Sequence, residues 1–376
     1  MTRAAPSGSE NRANIPELDG VRGLAILFVF LFHCMPASGF RYVDAVLQLR
    51  GSLWIGVDLF FVLSGFLISG VLLDHHASRN RYRAFYVRRT LRIFPLYYGV
   101  LILVYCVLQF NTVIADQLRM TAAGGWFFGY AFNVWLAIQG HWPTSELLNH
   151  FWTLCVEEQF YLLWPFAVFS LSVRFFLHLS ILAIITAVVW KVVALSWDVP
   201  GVSILVSMPA RIDAFALGGI AAFGVRFGDA KRIAFHALWV GALAWFAVAL
   251  IALPNRGLSF EYPTTVFPGT TLVAVGFACF VFLVCHPTAG LSGLSNVMRY
   301  RWLRVLGKYS YGIYVYHWLA QYCLVKLNLG GGRGSSPWLF FGLVSMITAG
   351  TAWVSYHLLE RPFLSLKRYA RFDDAG

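Results

Sequence analysis

The chain has 376 residues, of which 59% are hydrophobic, 17% aromatic and only 12% charged. Soluble domains carry about 25% charged residues, so this composition excludes a disordered chain and argues against a soluble enzyme. A net charge of +12 does not require a nucleic-acid partner, because the cytoplasmic ends of membrane spans also collect Lys and Arg.

Residues 1–16 are polar and lack the apolar stretch of a cleavable signal, so the first apolar segment itself directs insertion. About 20 mostly apolar residues suffice to cross a bilayer. Ten such segments follow in order, near 18–36, 53–73, 93–110, 151–172, 177–196, 204–226, 233–253, 264–285, 305–326 and 337–358. An eleventh, 123–140, is apolar but short and rich in Gly and Asn. Loops are short, and neither an internal repeat nor a second domain is visible. Residues 17–365 read as one membrane-embedded unit, followed by a basic-to-acidic tail over 366–376. The expected fold is an all-α polytopic membrane protein.

Charge decides the topology. With a cytoplasmic N-terminus and 123–140 not crossing, most of the 29 Lys and Arg residues fall on the inner side. If 123–140 crossed, the basic segments 226–232 and 299–308 would face outward. The distribution favours ten spans, both termini cytoplasmic, and a re-entrant or surface segment at 123–140. The cysteines (Cys34, Cys106, Cys155, Cys279, Cys285 and Cys323) lie in or beside apolar runs with no C-x-x-C pair, and read as small buried hydrophobes. No disulfide framework and no metal site is legible. His75, His76, His178, His236, His286 and His357 fall near loops or span ends without metal-ligand spacing, and His141 and His150 read as interfacial.

Ionisable residues inside spans are costly and are functional candidates by default. Here they are His33, Asp58, Glu157, Glu158, Arg211, Asp213 and His317. In the ten-span topology these gather at one depth, nearer the outer face. The alternative is purely structural: Arg211–Asp213 or His33–Asp58 would be ion pairs that hold the bundle together. A second cluster lies at the cytoplasmic edge, where residues 79–92 read RNRYRAFYVRRTLR. Arg79, Arg81 and Arg83 are ordinary anchors. Arg88, Arg89 and Arg92 lie at i, i+3 and i, i+4 spacings that share a helical face, with Arg22 at the same edge. Clustered guanidinium groups suit a phosphate ligand. Arg22 and His33 are eleven residues apart on one helix, or roughly 16 Å. That is the order of an extended pantetheine arm, as needed to carry an acyl group from cytosolic CoA to an outward-facing acceptor.

These residues also carry a family resemblance. LDGVRGLAILFVFLFH (18–33), WIGVDLFFVLSGFL (54–67), FYVRRTLRIFPLYY (85–98), HFWTLCVEEQFYLLWP (150–165), RIDAFALGG (211–219), LGKYSYGIYVYHW (306–318) and LERPF (359–363) resemble, in order, the motifs of the integral-membrane acyltransferase-3 family, which O-acylates glycans and some natural products. Arg22 and His33 match its Arg-x10-His spacing, Arg89 and Arg92 its R-x-x-R, and Glu157 the glutamate of its E-x-Q-F-Y segment. The chain stops soon after the tenth span, so the expectation is a stand-alone form without the SGNH hydrolase-like domain of larger members.

The resemblance implies acyl-CoA as co-substrate, with no permanently bound cofactor, and a hydroxyl as acceptor. Acetyl is the default acyl group and succinyl the second. The acceptor is expected to be an exported or lipid-linked bacterial polysaccharide sugar, handled beside synthesis or export machinery in the cell inner membrane; a small glycosylated natural product such as a macrolide is the alternative. The residues suggest the chemistry. His33 is the expected general base, oriented by Asp58 or Glu157 as in triad logic. Direct transfer is favoured over an acyl relay on His33 or a serine; Ser64 reads as a helix-packing residue. Arg22, Arg88, Arg89 and Arg92 are the expected phosphate ligands. Arg211 and Asp213 are candidates for substrate or oxyanion binding or for a mutual salt bridge, and Tyr311, Tyr314 and His317, on one face of the ninth span, for the acceptor pocket or for plain core packing. A transporter is the rival reading, but no repeat or pair of broken spans supports it. A non-catalytic export subunit would tolerate loss of His33.

Overall fold

The computed structural model describes residues 15–36, 48–107, 124–143, 147–286, 292–326 and 336–373. Among these residues every regular element is helical. In chain order the helices are α1 Pro16–Cys34, α2 Gly56–Asp74, α3 Arg81–Ile102, α4 Gly124–Phe128, α5 Phe132–Gln139, α6 Trp152–Ser170, α7 Phe176–Ser196, α8 Gly201–Val206, α9 Met208–Phe227, α10 Ala230–Ala252, α11 Thr270–Cys285, α12 Ser292–Met298, α13 Arg301–Lys326, α14 Pro337–Ser355 and α15 Arg361–Ser365. Local chemistry sets several of the starts. Proline opens α1 and α14, where its missing N–H is not needed. Asp229 caps α10 by accepting from Lys231 N at 3.0 Å and Arg232 N at 3.2 Å.

By length and apolar composition, six helical segments among the described residues can cross a membrane: Arg50–Asp74, Val173–Ser196, Met208–Phe227, Ala230–Ala252, Thr265–Cys285 and Pro337–Tyr369. The long helices outside this set are α1, α3, α6 and α13. They overlap expected spans, but they carry Arg22, Arg89, Arg92, Glu157, Glu158, Arg301, Arg304 and Lys308, which lower their hydropathy. These are the helices that line the site described below. The chain is a membrane protein. Its central helix is α2, whose apolar stretch is 78% buried, whereas the apolar stretches of α7 and α10 are 28% buried and present most of their side chains outward.

Two close helix crossings fix the registers that matter for the site. A Cβ at Gly23 of α1 would overlap the Leu303 carbonyl of α13, and one at Gly307 would overlap the Asp19 carbonyl of α1. Gly65 of α2 and Gly218 of α9 meet the Phe215 and Val62 carbonyls in the same way. Small residues permit such backbone approach between membrane helices. The 123–140 segment is broken: α4 and α5 are separated at Tyr130, which has φ 51°. Neither piece is long enough to cross a bilayer. The Gln159 amide of α6 holds the break in place, donating to Tyr130 O at 3.0 Å and to Asn133 Oδ1 at 2.8 Å, while Asn133 donates to Val206 O at 3.2 Å.

Candidate active site

Among the described residues, the ionisable side chains singled out above fall into three groups. The first surrounds a chamber of about 870 Å³, open mouth included, whose lining comprises Arg22, Ser64, Arg89, Arg92, Glu157, Glu158, Tyr161, Tyr311 and Tyr314 with apolar neighbours from α2. Glu157 and Tyr161 are one helical turn apart on α6 and so share a face. Ser64 donates to Glu157 Oε1 at 2.8 Å and accepts from the Tyr161 hydroxyl at 2.9 Å. The Arg89 guanidinium lies over the Tyr161 ring, 5.2 Å from its centroid.

The chamber shares Arg22, Arg92, Ser310 and Tyr311 with a second cavity of about 1050 Å³, to which α13 adds Arg301, Arg304 and Lys308. Spacings of three and four put those three cations on one face of α13. Arg22, Arg92, Arg301, Arg304 and Lys308 face this cavity against Asp19 and Glu360. An excess of cations, four of them planar guanidinium groups, suits a polyphosphate ligand.

The second group lies beyond the far end of the chamber. Tyr314 closes that end, its hydroxyl donating to His150 O at 2.8 Å and lying 2.5 Å from Thr153 Oγ1. On the other side of Tyr314 stand His33, His150, His317 and Trp318. His317 is fully buried, and its Nδ1 lies 2.6 Å from Tyr314 O. A carbonyl only accepts, so Nδ1 carries the proton and Nε2 presents a lone pair. That Nε2 faces His33 Nδ1 at 3.2 Å, and His33 Nδ1 also faces Val29 O at 3.0 Å. Both partners accept, so the His33 proton is on Nδ1 and its Nε2 is the free base. His33 is half-buried, at the last turn of α1.

The third group is a charge network between α2, α7, α9 and α11. Arg211 pairs with Asp58 and lies over the Phe61 ring. Lys191 pairs with Asp213 at 2.6 Å and donates to Thr270 and Thr271 at 3.0 Å, and Thr271 donates to Asp213 at 2.8 Å. All four charged side chains are at most 2% exposed.

Several expectations are corrected. The charged residues of the helices do not gather in one cluster, and neither Asp58 nor Glu157 bonds to His33, whose Nδ1 faces His317 Nε2 and Val29 O. The cause is register. Gly56 of α2 packs against Ala25 and Val29 of α1, so Ser64 lies about 12 Å to one side of that level and His33 about 6 Å to the other. Asp58 turns instead to α9, and Glu157 sits in the chamber with the arginines. Arg211 pairs with Asp58 rather than with Asp213. Arg88 faces away from the chamber toward the C-terminal segment, with Nη1 3.4 Å from Ala370 O and its guanidinium 5.9 Å from the Phe372 ring. Arg22, Arg89, Arg92, Tyr311 and Tyr314 line the chamber together. Sequence reasoning missed Lys191, although a lysine in VVWKVV was itself the signal. It also treated His150 as interfacial, and used the basic segment 299–308, which holds Arg301, Arg304 and Lys308, only for the charge balance.

The profile of an acyltransferase domain matches residues 15–357. YrhL of Bacillus subtilis is 28% identical over 377 residues, covering 94% of this chain and 55% of that protein. The peptidoglycan O-acetyltransferase OatA of Listeria monocytogenes is 28% identical, covering 82% of this chain and 49% of its own length. The O-acetyltransferase OatA of Staphylococcus aureus is 25% identical, with 93% and 57% covered. The chain thus spans about half the length of these relatives. No solved structure matches it. With the profile covering nearly the whole chain and the site lying on the motif-bearing helices, the chain belongs to the integral-membrane acyltransferase-3 family.

Proposed function

We propose that the protein is a membrane O-acyltransferase that moves a short acyl group, acetyl before succinyl, from cytosolic acyl-CoA to a hydroxyl of an exported or lipid-linked polysaccharide sugar. The proposal includes ten spans with both termini cytoplasmic, in a bacterial inner membrane. One observation carries it: α1 bears an arginine of the cationic chamber, Arg22, and, about 16 Å farther along in its last turn, a histidine with a free Nε2. The OatA relatives, O-acetyltransferases and in one case a peptidoglycan O-acetyltransferase, favour acetyl and a glycan acceptor.

In this reading Arg22, Arg89 and Arg92, with Arg301, Arg304 and Lys308 at the mouth, hold the phosphates of the donor. The acyl end reaches the histidines when Tyr314 leaves its bonds to Thr153 and His150. His33 Nε2 takes the acceptor hydroxyl proton while the oxygen attacks the thioester carbonyl. The carbon–oxygen bond forms, the carbon–sulfur bond breaks, and the proton on His33 passes to the departing thiolate. His317 holds the imidazole in the productive tautomer, the part an aspartate plays in a serine-protease triad. Glu157, bonded to Ser64 in the chamber, contributes to donor binding. The test is binding and cleavage of acetyl-CoA and succinyl-CoA, side by side, by the purified protein in detergent. Cleavage of one supports the reading and names the donor; failure to bind either refutes it.

A further inference from the structure

The histidine cluster holds two buried polar atoms that its own bonds do not use. His150 is 4% exposed. Its Nε2 lies 3.3 Å from Val315 O, so it carries the proton there and Nδ1 presents a lone pair. Among the described residues that Nδ1 has no partner, and neither has the buried indole Nε1–H of Trp318. One is an acceptor and the other a donor. The two rings are nearly parallel, at 18° and 6.4 Å, and both pack on the catalytic pair: Trp318 lies 5.2 Å from the His33 ring and His150 5.0 Å from the His317 ring. Leaving such groups unpaired forfeits their hydration with nothing in return, and buried orphans of this kind call for an explanation.

The geometry points to an acceptor subsite: His150 Nδ1 and Trp318 Nε1–H hold a polyhydroxylated acceptor, a sugar, so that one of its hydroxyls lies at His33. A sugar hydroxyl both donates and accepts, matching the lone pair on His150 and the N–H on Trp318. The half-buried indole face adds an apolar wall of the kind that covers the C–H face of a sugar ring. The subsite lies on the opposite side of Tyr314 from the cationic chamber, so acceptor and donor approach His33 from different sides. This inference rests on the acyltransferase reading and adds to it where the acceptor binds and which residues bind it.

The experiment measures two affinities on each sample of purified protein: acetyl-CoA, and the peptidoglycan disaccharide N-acetylglucosaminyl-N-acetylmuramic acid by saturation-transfer NMR. W318F keeps the ring and removes the N–H; H150F keeps the ring volume and removes both nitrogens. Each is expected to weaken disaccharide binding by about tenfold, the worth of a buried hydrogen bond, with acetyl-CoA affinity unchanged. H150N, whose amide oxygen stands close to where Nδ1 stood, retains most of the affinity. Disaccharide binding that is unaffected in both variants overturns the subsite. So does parallel loss of acetyl-CoA binding, which would make the two residues structural, and so does a wild type that binds acetyl-CoA but not the disaccharide. A wild type that binds neither overturns the acyltransferase reading itself.

Discussion

His317 Nε2 faces His33 Nδ1 at 3.2 Å, and the Tyr314 carbonyl 2.6 Å from His317 Nδ1 fixes which of the two rings donates. His317 and the Val29 carbonyl, 3.0 Å from the same His33 nitrogen, together favour the His33 tautomer with its proton on Nδ1. H317A removes one of the two acceptors and the side chain that packs against the ring, leaving Val29 O alone to hold it, so turnover is expected to fall about a hundredfold, the lower end of a general-base contribution. H317Q, whose amide oxygen accepts from His33 Nδ1, is expected to recover much of the rate. Acyl-CoA affinity in both variants stays at the wild-type level, because the arginines of the chamber lie on the other side of Tyr314. Equal rates for the alanine and glutamine variants would show that the tautomer is not the point of the contact.

The arginines divide by direction. Arg89 and Arg92 face the chamber, whereas Arg88 contacts the C-terminal segment. Charge-assisted hydrogen bonds contribute about 1.5–3 kcal/mol. R89Q and R92Q are therefore expected to weaken acyl-CoA binding about tenfold or more each, and R88Q hardly at all. Titration of acetyl-CoA against the three purified variants checks this. An effect of R88Q as large as that of R92Q would place the phosphates elsewhere.

The Lys191–Asp213 pair predicts a stability pattern. Breaking a buried pair from one side strands a charge and costs about 3–5 kcal/mol, whereas replacing both partners is often close to neutral. K191M is expected to lower the thermal midpoint in detergent sharply, and K191M with D213N to recover most of the loss. If the double variant is as unstable as the single one, the threonines on α11 rather than the charge balance hold α7 in place.

The broken segment makes a topological prediction. If α4 and α5 do not cross, a cysteine at Gln139, an exposed position at the end of α5, labels with an impermeant maleimide from the outer side of intact cells. Labelling only after the inner side is opened would mean that 123–140 crosses and that the helices after it are inverted.

The helices were largely legible because a run of about 20 apolar residues has few other fates, and each expected segment overlaps a helix. The partners of the charges were not legible. Hydropathy places Asp58 and Glu157 on helices but carries nothing about helix register, and here register is set by backbone contacts at Gly23, Gly56 and Gly307. A slip of one turn would bring other side chains level with His33. The same limit explains Arg88: i, i+4 spacing makes it a neighbour of Arg92, but its neighbour across the interface, Phe372, is 284 positions away in the chain. His33 with His317 was within reach as a shared depth, though not as a contact. Lys191 was a plain signal, an ammonium in the middle of an apolar span, and should be read as such in any chain of this kind.

The most direct test of the account is acetyl-CoA turnover in the presence of a glycan acceptor by purified wild type and H33A, with acetyl-CoA binding measured on both. Wild-type turnover lost in H33A, with donor binding intact, is the predicted result: the arginines hold the donor and His33 Nε2 starts the chemistry. Undiminished turnover in H33A would contradict it and move the chemistry to the chamber, where Ser64 donates to Glu157 at 2.8 Å.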